Sequence, residues 1–265
     1  MKPGHFACLA LLCSMLCSAT FGADAHHFDS DGVKIRYYSG GQGEALVLVH
    51  GFSGSAQTAW IGPGVFGTLV DAGFHVIALD NRGHGGSDKP HDPAAYGVNM
   101  AEDLRRLLDH LGLERAHIVG YSMGGKISNA FAARHPDRVI TLTLGGYGWP
   151  WREQAVTLEQ SRDNLIQRTL RPGNDIDALA AYRVTSNDLV PSEEALRGNR
   201  IPTLSIVGTE DALFMGNDNV KTLRETMANL HAVDMPGTHA GPDGVLYKAE
   251  FADVVVDFIQ KNKRK

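Results

Sequence analysis

Cysteine is confined to the start of the chain: Cys8, Cys13 and Cys17 are its only three, and none follows. The long remainder therefore has no disulfide and no thiol nucleophile, and its core alone must hold it together. No excess of positive charge is present either. Twenty-five Lys and Arg stand against 30 Asp and Glu, a net charge of −5, which excludes the basic footprint of a nucleic-acid binder. No internal run is long and apolar enough for a stable membrane span. No Gly-x-Gly-x-x-Gly follows the first buried strand, and no Cys/His metal spacing occurs beyond the leader, so neither cofactor nor metal is expected. His26-His27 is at most an adventitious metal binder. Repeats and low-complexity segments are missing as well. What remains is 265 residues of ordinary composition, 43% hydrophobic and 21% charged, enough for one large α/β domain.

The first 25 residues have a different character. Lys2 is followed by an apolar run from Phe6 to Leu16, then by small residues ending in Ala23-Asp24-Ala25. That order matches a secretory signal peptide over residues 1–25, cut after Ala25, with Gly22 as second choice. Neither Leu12-Cys13 nor Leu16-Cys17 supplies a lipoprotein motif. The expectation is an exported protein, periplasmic or secreted, with one domain over residues 26–265.

Residues 27–30 and 33–39 read as short strands joined by an Asp31-Gly32 hairpin turn. The continuous apolar run at 45–49 reads as a strand covered on both faces, 75–79 and the apolar run at 116–121 read as further buried strands, 139–144 as another, and 203–207 and 230–235 complete the series. Helices are expected at 65–72, 100–111, 127–135 and 244–261. This alternation predicts an α/β chain with a mostly parallel, doubly wound sheet, whose ligands bind beyond the carboxyl ends of the strands. Residues 147–200 break the alternation, with Trp149, Trp151 and polar helical stretches at 153–170 and 176–182. An insertion of about 50 residues between two strands fits a small helical lid.

The strand at 116–121 runs into Gly120-Tyr121-Ser122-Met123-Gly124, the Gly-x-Ser-x-Gly spacing of a nucleophile elbow, in which a sharp strand-to-helix turn exposes a serine. The plainer alternative is a Gly-rich turn whose serine caps a helix. A serine nucleophile needs a base, and the base needs a carboxylate to orient it. Asp211 or Glu210, after the strand at 203–207, and His239, after the strand at 230–235, are the candidates; His50 and His84 are rival bases among twelve histidines.

Together, His50-Gly51-Phe52, residues 80–88 (DNRGHGGSD), Gly120 to Gly125, Gly208-Thr209-Glu210-Asp211 and Gly237-Thr238-His239 resemble the α/β-hydrolase superfamily, in its serine esterase and lipase-like branch with a small helical lid. The resemblance extends over essentially all of residues 26–265. It implies Ser122 as nucleophile, His239 as general base and acid, and Asp211 as orienting acid. It also implies an oxyanion hole formed by the backbone N–H groups of Phe52 and Met123, whose side chains then line the acyl pocket. The expected substrate is a small-molecule carboxylic ester, cleaved through an acyl-enzyme on Ser122.

A serine at the elbow argues against carboxylate-based dehalogenase or epoxide-hydrolase chemistry. Perhydrolase or haloperoxidase-like activity, lactonase activity and C–C bond hydrolysis share the same three residues and stay open, as does a non-enzymatic ligand receptor on the same fold. Arg82 and Asp88 read as loop supports, Lys126 as a helix lysine reaching solvent, and His135 as an exposed helix end. Trp149, Trp151 and Phe214 are candidates for lining a lidded pocket.

Overall fold

Buried strands, rich in apolar residues, form the centre of one eight-stranded sheet. The computed structural model describes residues 23–149, 154–168, 170–214 and 218–263. Cys8, Cys13, Cys17, nearly all of the leader and Trp151 lie outside them. In β3 (Ala45–Val49), β5 (Ala116–Tyr121) and β7 (Thr203–Gly208) every residue is buried; β4 (His75–Leu79) and β6 (Val139–Gly145) each leave one position half-buried. At one edge β1 (Asp24–Ser30) and β2 (Val33–Gly40) form the hairpin, turning at Asp31 and Gly32 with φ of 58° and 79°. Two positive φ values in sequence fit the twist of the flanking strands, which is why Asp-Gly stands there. The other edge is β8 (Leu230–Met235), largely exposed.

The strand order is β1-β2-β4-β3-β5-β6-β7-β8, antiparallel only where β2 pairs with β1 and β4. From β3 the chain leaves to β4 on one side and returns to β5 on the other. The loops after β3 and β5 therefore part company at neighbouring strands, and a crevice opens between them. Helices α2 (Val98–His110) and α3 (Met123–Arg134) cover one face through Leu104, Leu107, Ile127 and Phe131. Helices α1 (Val65–Asp71) and α8 (Ala249–Lys263) cover the other through Phe66, Leu69, Phe251 and Val255. No helix among the described residues is long and apolar enough to cross a membrane.

Three features differ from the sequence reading. The closing helix starts at Ala249, not 244, because the chain before it is used otherwise: Thr238 N–H donates to the Asp243 carbonyl (3.0 Å) and Val245 N–H to the Thr238 carbonyl (3.1 Å). A short 3₁₀ turn, Val245–Tyr247, follows that clasp, and extended Lys248 breaks it from α8. A helix unforeseen in the sequence, α7 (Asp218–Thr226), lies between β7 and β8 and buries Val220, Leu223 and Thr226 while its other residues are polar and more exposed.

The third concerns residues 147–200, which hold no strand among the described residues. Here α4 (Leu158–Ile166) packs on α5 (Ile176–Thr185), and both lie on the crevice side. A capping box starts α4: the Thr157 hydroxyl accepts from Gln160 N–H, and the Gln160 side chain accepts from Thr157 N–H. By contrast α6 (Glu193–Gly198) shares a groove with Pro136, Val139 and Pro202, at the starting ends of β6 and β7. The tail of the insertion thus descends along the sheet to reach β7 and does not overhang the crevice.

Candidate active site

Ser122 follows the last residue of β5 and precedes the first residue of α3, with φ of 57° and ψ of −118°. A non-glycine residue held at positive φ carries strain that the surroundings must enforce. Here close packing enforces it. A Cβ at Gly124 would overlap the Val49 carbonyl, and one at Gly120 would overlap the Gly124 carbonyl and the Ser128 hydroxyl. Strand and helix thus pass too close for any side chain at either glycine. Ser122 makes no side-chain cap bond to α3, which removes the plainer helix-cap reading. Its Oγ lies instead 2.9 Å from His239 Nε2.

His239 Nδ1 lies 2.7 Å from Asp211 Oδ2, and Asp211 is wholly buried. The other oxygen of that carboxylate accepts from Leu213 N–H at 3.0 Å, so both oxygens are engaged. Two backbone bonds tie the loops that carry these side chains: Thr209 N–H to the Met235 carbonyl (2.8 Å) and Glu210 N–H to the Gly237 carbonyl (2.9 Å). The separation of acid and imidazole is fixed by sheet-end bonding, not by the side chains alone. Glu210 is exposed, its carboxylate outside this row.

A support that sequence reasoning missed sits behind the imidazole. The Tyr121 hydroxyl donates to the His239 carbonyl at 2.7 Å, and the two rings lie 5.4 Å apart. Burial raises the Tyr121 phenol far above its ordinary range, so the hydroxyl stays a donor at all working pH values. Gly146, with φ of 51°, leaves room for this pair, since a Cβ there would press on both rings. Phe214 closes the other side of the imidazole, 5.7 Å between centroids. Phe214 therefore backs His239 and does not line the pocket. Trp149 is likewise buried away from it, donating from its indole to the Pro191 carbonyl (3.2 Å). Tyr121→Phe should lower kcat for any Ser122-dependent turnover by about fivefold to tenfold, equivalent to about 1–1.4 kcal/mol, the low end of the cost of leaving a buried carbonyl without its donor. Steady-state kinetics check this; an effect confined to KM would contradict a positioning role.

The rival histidines are tied up elsewhere. His50 Nδ1 donates to the Gly51 carbonyl (2.7 Å) while its Nε2 accepts from Asn81 N–H (3.0 Å), which joins the loops after β3 and β4. His84 Nδ1 donates to the Arg82 carbonyl (3.0 Å), and its Nε2 is buried with no hydrogen-bond partner among the described residues. Burial lowers the His50 imidazole and pushes His84 down to about 3 and His117 to about 4. Held neutral when folded but protonated when unfolded, these groups bind more protons in the unfolded chain as pH falls below the ordinary histidine range. Stability should therefore fall progressively from near neutral pH towards pH 4. Thermal unfolding across that range tests it, with a shallower fall expected for His117→Gln; a melting temperature flat down to pH 4 would contradict it.

Arg82 forks onto Asp103, at 2.7 and 2.6 Å, with Asp103 also accepting from the Ser30 hydroxyl. Asp88 accepts from Lys34 N–H (2.8 Å). Both act on the loop, far from the Ser122 hydroxyl. Lys126 is fully buried, which corrects its reading as a solvent-reaching side chain: α3 is enclosed from Met123 through Ala132, leaving no path outward. His135 is partly covered and bonded to Glu102 at 2.8 Å. His91, Asp175 and Asp177 bring their ligand atoms within 4.8 Å of one another at the surface. Their carboxylates are already engaged, Asp175 capping α5 through Ala178 N–H and Asp177 pairing with Arg162. They pin the start of α5 to the loop after β4.

Two cavities meet at Ser122. The larger, about 340 Å³, is lined by Phe52, Met123, Tyr182, Leu213, Arg168 and Arg183 besides Ser122 and His239. The smaller, about 90 Å³, is bounded by Gly51, Tyr121, Leu246, Tyr247 and Arg171 among others. Phe52 follows β3 and Met123 opens α3, so these two residues face each other across the crevice at the switch in strand order.

A family model described as the alpha/beta hydrolase fold matches residues 44–175. The chain belongs to the α/β-hydrolase superfamily. The matched span holds Phe52, Ser122 and Met123 and ends before Asp211 and His239. Among curated relatives, a 2-hydroxy-6-oxo-6-phenylhexa-2,4-dienoate hydrolase of Comamonas testosteroni is 38% identical over 126 residues, 45% of this chain and 42% of that protein. A fluoroacetate dehalogenase of a Burkholderia species is 38% identical over 128 residues, 46% of this chain and 40% of that protein. The chain thus aligns with less than half the length of either. Among solved structures, a membrane phospholipase A described as a bacterial virulence factor is similar at a TM-score of 0.68 and 25% identity, covering 92% of this chain and 88% of that one. A carboxylesterase structure from the thaumarchaeon Nitrososphaera gargenis superposes with a TM-score of 0.73 at 24% identity, covering 91% and 99%.

Proposed function

We propose that this chain is a serine hydrolase that cleaves a carboxylic ester through an acyl-enzyme on Ser122. The observation that carries the reading is the row of hydrogen bonds from Ser122 Oγ through His239 to buried Asp211, on a serine held at positive φ. In this reading Nε2 of neutral His239 takes the Ser122 proton as Oγ attacks the ester carbonyl. The carbonyl oxygen becomes an oxyanion, received by the N–H groups of Phe52 and Met123; the start of α3 adds its dipole. The imidazolium, steadied by Asp211, protonates the leaving alcohol, which departs. Water then enters, His239 removes its proton, and the acid and free Ser122 are regenerated. All of these steps use groups of the chain itself.

Multiple turnover of chromogenic short-chain esters, compared with Ser122→Ala, tests the proposal. Turnover no faster than the variant would refute it. The name of the Comamonas relative favours a second reading, C–C bond hydrolysis by the same three residues. Incubation with a 2-hydroxy-6-oxo dienoate separates the two: faster turnover of the dienoate than of every ester would favour the second.

Export is part of the proposal. The charged start, apolar run and small residues up to Ala25 support a cleaved leader. A cut after Gly22 spares the first two pairs of β1, Asp24 with Ser39 and Ala25 with Tyr38, whereas a cut after Ala25 removes them. Mass measurement of the processed N-terminus distinguishes Ala23 from His26.

A further inference from the structure

Among the described residues three that are not glycine take positive φ: Asp31 in the hairpin turn, Ser122, and Ser53 at 56°. Ser53 follows Phe52, and the turn that holds both is closed by Gly54 N–H donating to the Gly51 carbonyl (3.1 Å). Ser53 is the third residue of that turn, where a positive φ ordinarily calls for glycine or asparagine. The same loop passes against the nucleophile, since a Cβ at Gly51 would lie 3.2 Å from Ser122 Cβ. Its stem is secured by His50, whose Nδ1 donates to the Gly51 carbonyl and whose Nε2 and carbonyl both accept from Asn81. Its strained tip is held from the insertion. The Asn174 amide donates to the Ser53 carbonyl (3.2 Å) and to the Arg171 carbonyl (3.0 Å), which occupies both donors of its NH₂ group. Asn174 itself ends a second turn, Arg171-Pro172-Gly173-Asn174, closed by its N–H on the Arg171 carbonyl (3.3 Å). Here proline precedes a glycine with φ of 85°, the residues such a turn prefers, so this platform carries no strain. A preformed turn between α4 and α5 thus grips a strained one beside Ser122.

We infer that Asn174 is a positioning residue for acyl transfer: by holding the Ser53 carbonyl it keeps the loop after β3 in the conformation that aims the Phe52 N–H at the oxyanion. The inference rests on the ester-hydrolase reading, with Phe52 and Met123 as oxyanion donors, and deepens it. A non-glycine residue stays at positive φ only while its surroundings enforce it. Release of Ser53 to negative φ needs compensating rotation about the backbone of Phe52, the residue whose N–H is in use. An oxyanion donor works by being aimed before the charge develops, so loss of aim costs rate and not substrate affinity. The neighbouring bonds of the same turn have other targets. Arg171 donates to the Tyr247 hydroxyl (3.1 Å), and His91 lies 3.1 Å from Asp175; neither bond touches Phe52 or Ser53. Asn174 is therefore the member of this turn that acts on the reacting centre, and through it the insertion braces the chemistry as well as covering the crevice.

The test compares a 4-nitrophenyl ester with its thiono analogue, in which the carbonyl oxygen is replaced by sulfur, a larger and weaker acceptor. Asn174→Ala should lower kcat on the ester about tenfold with KM changed less than about twofold. The ester-over-thionoester ratio of kcat/KM should fall by at least about fivefold, since a misaimed donor no longer favours oxygen. Asn174→Asp, which keeps the size and withdraws the donor, serves in its place should Asn174→Ala not fold. His91→Gln, which frees the adjoining residue of the same turn, should leave rate and ratio within about twofold of wild type. Ser53→Gly removes the strain that the bond restrains, so adding it to Asn174→Ala should recover most of the lost rate. A second arm needs no ester: phosphonylation of Ser122 by an alkyl fluorophosphonate, followed by intact mass, should slow at least about fivefold in Asn174→Ala, because the phosphoryl oxygen uses the same donors. Ser122-dependent ester turnover with kcat and ratio unaltered in Asn174→Ala overturns the inference and leaves the ester reading intact. A lower rate with an unchanged ratio and no recovery by Ser53→Gly does the same, since a merely structural bond behaves in that way. Wild type that turns over no ester, yet is phosphonylated at Ser122 more slowly once Asn174 is replaced, overturns the ester reading and upholds the role of Asn174. Wild type that gives neither turnover nor adduct overturns both.

Discussion

Replacing Ser122 by alanine is expected to abolish ester turnover, with kcat falling by about 10⁴-fold or more while the fold stays intact. The side chain is small and lies at a solvent-reaching crevice, and its hydroxyl makes no cap bond to α3, so its loss removes no structural bond besides that to His239. Any relaxation of the strained backbone in the variant favours the folded state slightly. The variant should therefore unfold at or near the wild-type temperature, and that pairing of lost rate with retained stability is what distinguishes a nucleophile from a packing residue. His239→Ala should match it in rate. Because the two residues act in one step, the double variant should be no slower than either single one.

The second large effect belongs to Asp211. Asp211→Asn keeps the volume but exchanges one carboxylate oxygen for an NH₂ group. The amide can then donate to Nδ1, which forces the proton to Nε2, where it can no longer accept from Ser122. The expected loss is about 10³- to 10⁴-fold in kcat, with KM little altered. Glu210→Gln, one residue earlier but exposed, should change kcat less than twofold. Kinetics of both variants on one chromogenic ester decide the assignment. A severe loss for Glu210→Gln with near-normal Asp211→Asn would reverse it.

The central sheet was legible because its strands are covered on both faces and so read as largely apolar runs: Ala45 to Val49 is wholly apolar, and Thr203 to Gly208 is interrupted only by small hydroxyl residues. Strand order was not legible. Nothing in the runs themselves states that β4 lies outside β3, and it is this reversal that opens the crevice beside Ser122. Helix α7 was not legible because it is short and mostly polar, with Val220 and Leu223 its only large apolar residues. Ser122, His239 and Asp211 were legible through short loops at strand ends, where glycines and a fixed order mark the place. Tyr121 was visible only as a residue of the elbow; that its hydroxyl holds the His239 backbone depends on a contact between residues 118 apart in sequence. The three arginines were hidden for a different reason. They lie in the insertion, where no periodicity assigns a face, and two of them, Arg168 and Arg171, stand in the loop between α4 and α5. An excess of arginine between 162 and 183, set against an acidic chain, was the available signal.

These observations make one scaffold with two layers of specification. Sheet-end bonding holds the loops of Asp211 and His239, and the insertion supplies arginines that line the crevice. The central claim is that acyl transfer passes through Ser122. Rapid quenching of the protein during turnover of a 4-nitrophenyl ester, followed by peptide mass spectrometry, tests it most directly. The account predicts one acyl adduct, on the peptide containing Ser122, that accumulates further when its hydrolysis is slowed. An adduct on any other residue, or turnover with no adduct on Ser122 under conditions where 4-nitrophenol appears in a burst, would contradict it.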